Sequence, residues 1–339
     1  MENNSNPRFD SAAKAVYGKI GKYFLQLPLE IKSQVQELRI RVNKPVSICC
    51  IKGIYFFNQN GTLVCRPDSN TLIATKEDID ECFRNLCSYS IYSHQNEIRN
   101  GYVTLVGGHR VGISGTAVLE NGEIKGLRDI SSINIRIARE ISGSANALLV
   151  GLKNNVSDGL LIAGPPVSGK TTILRDIARQ LSSGLLGNIR KVAVIDERGE
   201  LAGTYMGVPQ NDLGVCSDIL DGYPKAQGIM QAIRCLSPDY IICDELGGYD
   251  EVSAVQQCLN AGAVMISSIH AGSLEELLKK KQAVDLLKTG AFGNVAILDR
   301  KMEPGKIAGI YKAGELLAKI HGGYVPDCGR GDGGIYGVA

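Results

Sequence analysis

Apolar positions change period twice along the chain. Residues 10–27 and 29–36 carry them at helical spacing, with Pro28 as the break. From Glu37 to Val42 they alternate with polar ones. Val46 to Ile51 and Ile54 to Phe57 continue as short strands, separated by Asn43, Lys52-Gly53 and Asn60-Gly61. Helical spacing returns after Thr75, where Thr-x-x-Asp offers a capping-box start for residues 77–92, EDIDECFRNLCSYSIY. Tyr102 to Val106 and Arg110 to Ser114 predict a hairpin turning at Gly107-Gly108, and Asn134 to Arg139 alternates again. Residues 1–145 therefore read as a separate N-terminal α+β domain.

Asn154 to Gly159 is a polar hinge by composition. Beyond it, apolar runs at 160–163, 191–195, 240–243 and 263–269 alternate with helical spacing at 170–182, 225–236, 250–261 and 273–287. Such alternation predicts a mostly parallel sheet wrapped by helices, an α/β domain over 146–320. Residues 321–339 have too few apolar side chains for their glycines and are expected to form a flexible tail.

Composition narrows the function classes. The chain is 44% apolar and 21% charged with a net charge of +2, an ordinary balance that gives no global pull toward nucleic acid or an anionic membrane. No stretch approaches the roughly 18–20 uncharged apolar residues of a membrane span. The start MENNSNPRFD lacks the basic and apolar regions of a secretory signal, so a cytoplasmic location is expected. The ten cysteines form no C-x-x-C pair and do not cluster with the four histidines, which reads as reduced core cysteine rather than zinc.

The chemistry centres on residues 160–172, LLIAGPPVSGKTT. Gly164, Pro165, Pro166, Val167, Ser168, Gly169, Lys170 and Thr171 satisfy the phosphate-loop pattern G-x-x-x-x-G-K-[ST], and Thr172 continues it into a helix. Glycine at 164 and 169 lets successive N–H groups turn inward on phosphate oxygens, with the helix N-terminus adding its partial positive charge. Lys170 is placed to reach the β- and γ-phosphates, and Thr171 to ligate Mg2+. A strand before and a helix after give this match its context, so ATP with Mg2+ is the expected ligand.

Three further stretches end apolar runs in reactive groups. YIICDELGG (240–248) delivers Asp244, a candidate for the magnesium shell, and Glu245, a candidate to orient or deprotonate water. VAVIDERGEL (192–201) delivers Glu197 to the same sheet edge and makes it a second candidate for the water-activating role. VMISSIHAGS (264–273) ends in His270, either a packing residue or a γ-phosphate sensor acting by hydrogen bonding. Arg39, Arg41, Arg99 and Arg110 read as a solvated sheet face. Arg136 and Arg139, just before the second domain, are candidates to face a phosphate across a domain or subunit boundary.

A phosphate loop, an acid box, LSPDYIICDE and a strand-end histidine, in this order, resemble the secretion-type ATPases, the hexameric motors of type II and type IV machinery. More closely, EIRNGYVTLVGGHRVGISGTA, GPPVSGKTTILRDIAR, VIDERGELAG and GVPQNDLGVCSDILDGYPKAQGIMQAIRCLSPDYIICDELGG resemble the stage III sporulation protein AA family, over roughly residues 15–310. The resemblance implies a RecA-like P-loop NTPase core and a mother-cell ATPase serving a channel between mother cell and forespore. It implies a homo-hexamer, membrane-embedded sporulation channel proteins as partners, and functional positions at Lys170, Thr171, Glu197, Glu245 and His270. It also places Arg234 where secretion ATPases carry an arginine ahead of Pro-Asp. The acidic strand end departs from the Gly-Glu usual in that wider group, and the four-cysteine zinc module of many pilus motors is absent from the sequence, so a pilus role is not expected.

Two other classes share this core. A RecA-like nucleic-acid motor calls for a basic stripe interleaved with aromatics, whereas this chain has 6% aromatics and no tryptophan, so no stable nucleic-acid binding is expected. A nucleotide-gated scaffold with little hydrolysis has no need of the paired acids at 244 and 245.

Overall fold

The computed structural model describes residues 6–87, 95–99, 101–299 and 304–321. The glycine-rich tail from 322 with Cys328, the end of the expected helix at 88–92, and His94 lie outside the described residues. The chain divides into two units, one of Met1–Ile141 with Ala202–Asp212 and one of Ser142–Leu201 with Leu213–Ala339.

The first unit is built on β1 (Val35–Arg41), β2 (Ser47–Cys50), β3 (Gly53–Phe57), β4 (Leu63–Val64), β5 (Tyr102–Leu105), β6 (His109–Glu120) and β7 (Glu123–Arg136). They form one antiparallel sheet in the order β4-β3-β2-β1-β7-β6-β5. Alternation along β1 sends Leu38 and Ile40 into the core while Glu37 and Arg39 pair on the other face at 2.7 Å. Helices Pro7–Lys14, Gly18–Leu25 and Lys76–Leu86 supply Phe9, Phe24 and Ile79 to the same core. Burying each such side chain stabilises by about 1.5–3 kcal/mol. Thr75 and Asp78 form the reciprocal capping box read from the sequence. The expected helix over 29–36 is a single turn, Leu29–Lys32, because β1 begins at Val35 and its pairing with Cys50 takes the rest of that segment. Arg139 donates to the carbonyls of Ser33 and Val35, both at 3.0 Å, and so holds the start of β1 within this unit.

Segment 202–212 completes the first unit. Gly107 N–H donates to the Gln210 side-chain oxygen at 2.7 Å, and Arg8 donates to the carbonyl oxygens of Gly107 and Gln210. Glu140 pairs with Arg8 at 2.7 Å and accepts from Asp212 N–H at 2.6 Å. Gly203 and Gly108 both have positive φ, and a Cβ on Gly203 would lie 3.2 Å from the Gly108 Cα, so this approach needs glycine.

The second unit holds β8 (Leu160–Gly164), β9 (Val192–Asp196), β10 (Ser217–Asp221), β11 (Tyr240–Cys243), β12 (Val264–His270), β13 (Asn294–Leu298) and β14 (Ile307–Lys312). Their order is β10-β9-β11-β12-β8-β13-β14, with every pairing parallel except β13 with β14. Every residue of β8, β9, β11 and β13 is buried, which is why these strands are continuous apolar runs rather than alternating ones. The chain leaves β8 for β9 on one side and returns to β13 on the other, so the carboxyl ends of β8, β9, β11 and β12 share one edge at a topological switch.

The expected single helix over 273–287 is two, Leu274–Lys279 and Lys281–Lys288, broken at Lys280 where ψ is 115°. The Lys280 ammonium donates to the His270 carbonyl and pairs with Glu276. Buried thiols behave as small core residues: burial pushes Cys82, Cys243 and Cys258 each up to about 12. No helix among the described residues is long and apolar enough to cross a membrane.

Candidate active site

β8 runs into the loop 165–169 and then into the helix Lys170–Ser182, whose N-cap Gly169 is left-handed at φ 95°. A Cβ on Gly169 would lie 2.8 Å from Gly305 N, and one on Gly164 would lie 2.5 Å from the Ser168 hydroxyl. Gly169 is therefore required by close backbone approach and by its positive φ, whereas Gly164 is crowded by the Ser168 and Leu298 side chains. The Gly305 N–H donates to the Ser168 carbonyl at 2.8 Å and braces the loop from the β13–β14 connection. Behind it, buried Asp176 accepts from Ala145 N–H at 2.9 Å and from Arg179 and Gln180, while Ser144 donates to the Thr172 carbonyl. These bonds seat the helix that carries Lys170 and Thr171.

Val167 stands at φ 63° with 80% of its surface exposed. A β-branched residue in the left-handed region is strained by about 1–2 kcal/mol, and here little packing offsets it. Val167→Gly is expected to raise the melting temperature by about 2 °C in calorimetry, and Val167→Ala to give less than half of that. An unchanged or lower value for the glycine variant rejects strain at this position.

Lys170 Nζ donates to the carbonyls of Gly164 and Pro165, both at 2.9 Å, so its ammonium sits across the mouth of the loop. Burial pushes its pKa below the usual lysine range, against the opposing pull of Asp244, Glu245 and Glu200. Thr171 donates its hydroxyl to one carboxylate oxygen of Asp244, and Ser268 donates to the other. Glu245 follows in the left-handed region at φ 54°, with its N–H donating to the Ser268 hydroxyl at 3.0 Å. The half-exposed Glu245 carboxylate meets Arg198 at 3.0 Å.

Glu197 is held differently. Lys225, nearly buried, lies 2.7 Å from Glu197 and 3.4 Å from Glu251. Burial alone would lower the Lys225 pKa, but the bonds to these two carboxylates outweigh it and the ammonium is held above its usual range. Glu251 in turn accepts from the N–H groups of Gly247 and Gly248 ahead of the helix Tyr249–Asn260. An open, shallow cleft is lined by Asp196, Glu197, Arg198, Glu200, Lys225, Asp244 and Glu245.

His270 is the register partner of Gly164 at the end of β12, and its Nδ1 is buried with no hydrogen-bond partner. Of the expected residues, Glu197, Asp244 and Glu245 line the cleft, Thr171 is bonded to Asp244, and Arg234 stands apart. It is exposed in the last turn of the helix Lys225–Cys235, whose first turn carries Lys225, about 14 Å away along the axis.

The donor set suits a magnesium nucleotide: a loop that ends at a helix N-terminus, an ammonium at its mouth, and a hydroxyl–carboxylate pair beside it. Sequence reasoning missed Lys225, Arg198 and Ser268. The first two lie in helical and loop segments with no motif of their own. Ser267 and Ser268 did leave a signal, two hydroxyls inside an otherwise apolar buried strand.

A family model described as "Sporulation stage III, protein AA" matches residues 12–317. Stage III sporulation protein AA of Bacillus subtilis (strain 168) is 39% identical over 299 residues, which make up 88% of this chain and 93% of that protein. Among solved structures, the ATPase DotB of Yersinia pseudotuberculosis has a TM-score of 0.57 at 15% identity, covering 94% of this chain and 84% of that one. The pilus retraction motor PilT, solved with bound ADP, has a TM-score of 0.53 at 12% identity, covering 79% and 75%. At such identities the likeness is one of fold, and the fold is the expected one: α/β with a RecA-like P-loop core.

Proposed function

The chain belongs to the sporulation stage III protein AA family, and from that membership we propose that it is a magnesium-dependent ATP hydrolase, working as a homo-hexameric ring that energises a membrane-embedded mother-cell to forespore channel. The observation that carries hydrolysis is the hydrogen-bonded set Thr171, Asp244, Ser268 and Glu245 on the sheet edge where Lys170 closes the phosphate loop.

The loop N–H groups of 167–170, beyond the two prolines, and the helix N-terminus bind the phosphates, and Lys170 leaves its two carbonyls for the β- and γ-phosphate oxygens. Thr171 and Asp244 hold Mg2+, which supplies charge neutralisation on the phosphates when bound. Glu245, whose partner Arg198 is exposed, takes the proton of the attacking water, and catalysis is otherwise positioning and charge stabilisation. Glu197 is the poorer candidate because nearly buried Lys225 holds its carboxylate in place at 2.7 Å. The unpartnered Nδ1 of His270 supports a role as γ-phosphate sensor. Arg234, remote from its own cleft, acts on a neighbouring subunit's nucleotide. The protein works in the mother-cell cytoplasm and reaches the membrane through its channel partners.

Mg2+-dependent ATP turnover by the full chain, measured over a dilution series with and without nucleic acid, tests this reading. Turnover that needs Mg2+, ignores nucleic acid and falls per molecule on dilution is expected, because a dissociating ring loses the groups completed across subunits. Failure of the protein to bind ATP overturns it.

A further inference from the structure

We propose that Ser268 is a positioning residue that sets the magnesium-ligand acid and the water-activating acid together; this rests on the ATP hydrolase reading. β12 lies between β8, which carries the phosphate loop, and β11, which carries the acids. Ser268 is fully buried in it. A hydroxyl in a dry sheet interior is costly unless its hydrogen bonds are made, so its partners say what it is kept for.

Those partners are three successive residues of the turn after β11. The Ser268 hydroxyl donates its one proton to the Asp244 carboxylate and accepts the Glu245 N–H at 3.0 Å, while the Ser268 carbonyl accepts the Leu246 N–H at 2.8 Å. The other Asp244 oxygen is taken by Thr171. One serine thus fixes the carboxylate plane of Asp244 and pins Glu245 in a left-handed conformation that a glutamate rarely adopts. Without the hydroxyl, Asp244 is free to rotate away from Thr171, and the Glu245 backbone is free to relax toward negative φ. Both acids then leave the positions that catalysis needs.

The neighbouring Ser267 provides the control. It is equally buried, yet its hydroxyl donates to the Cys243 carbonyl at 2.7 Å and meets the Cys243 thiol, touching neither acid. Loss of Ser267 removes a buried hydrogen bond from the same strand pair and leaves the acids aligned. A merely structural role for Ser268 makes the two serines equivalent.

The test uses the full-length wild type with Ser268→Ala, Ser268→Thr and Ser267→Ala. It reads kcat and KM for ATP, thermal stability, and Mn2+ affinity by electron paramagnetic resonance in the presence of a non-hydrolysable ATP analogue. Ser268→Ala is expected to lose about 30–100-fold in kcat with KM for ATP within about twofold, since small misplacements of reacting groups cost on this scale. Its Mn2+ affinity should fall several-fold, Ser268→Thr should restore most of both, and Ser267→Ala should keep both even where its melting temperature drops. Wild-type kcat and Mn2+ affinity in Ser268→Ala overturn the proposal, as do parallel losses in the two alanine variants. Should Ser268→Ala fail to fold, Ser268→Cys, isosteric with a weaker donor, must give intermediate values of both. A wild type that binds the analogue without hydrolysing ATP defeats the hydrolase reading alone, and the Mn2+ measurement still decides Ser268.

Discussion

Glu245→Gln is expected to lower single-turnover ATP cleavage by about 10²–10⁴-fold while leaving nucleotide binding within a few-fold of wild type. The substitution keeps the shape of the side chain and removes only its basicity. It leaves the phosphate loop, Lys170 and the Thr171–Asp244 pair untouched, and Arg198, exposed at 60%, loses its charge partner at little cost because water replaces it. Glu197→Gln makes the informative comparison. It neutralises a carboxylate that lies against an almost buried ammonium, so stability falls by about 1–2 kcal/mol as Lys225 is left with Glu251 alone, while the chemical step changes by tenfold or less. Rapid-quench cleavage and fluorescent-nucleotide binding on both variants separate the two acids. Full activity in Glu245→Gln with a dead Glu197→Gln reverses their roles.

The second large effect belongs to the first unit and to pH. His109 is fully buried at the start of β6, with its Nδ1 accepting from Ala138 N–H at 3.0 Å and its Nε2 without a partner. Burial, reinforced by the Arg8 guanidinium, pushes its pKa from 6.5 down to about 4. The folded state therefore keeps the ring neutral while the unfolded chain takes up a proton below 6.5. The stabilisation is complete above the unfolded value and is lost progressively as pH falls from 6.5 through 4. The full excursion is worth about 3 kcal/mol. Urea unfolding between pH 7.5 and 4 should show wild type losing about that much more than His109→Gln, which has no ring to protonate. Parallel pH dependences in the two proteins reject the buried neutral histidine as the cause.

The elements legible in the sequence are those whose pattern has one physical meaning. Gly164 to Thr171 could be placed because a glycine pair at that spacing, between an apolar run and a helical one, has few other uses. The fully buried strands β8, β9 and β11 stood out as apolar runs, as did β12 despite its two serines. β10 did not, since as an edge strand it buries only Leu220 and is otherwise Ser-Asp-Ile and Asp. β13 and β14 were also missed: Asn294–Leu298 and Ile307–Lys312 are short and lie apart from any motif. The helix break at Lys280 was hidden because lysine is a good helix former. In the cleft, spacing identified acids but not their counter-ions. That Glu197 is held by Lys225 and Glu245 by Arg198 depends on pairs 28 and 47 residues apart.

The bonds that seat residues 202–212 against Gly107, Arg8 and Glu140 have a consequence for the order in which the polypeptide matures on the ribosome. A nascent chain of 141 residues has made all seven strands of its first sheet, yet the Gly107 amide still lacks Gln210 and Glu140 still lacks Asp212. By the time those partners emerge, β8 and β9 have been synthesised as well. N-terminal domains ordinarily finish folding before the next one is made. Here the earlier unit closes only after the later one has begun, and a stop codon placed anywhere from 142 to 201 yields a truncated first unit rather than a separable one.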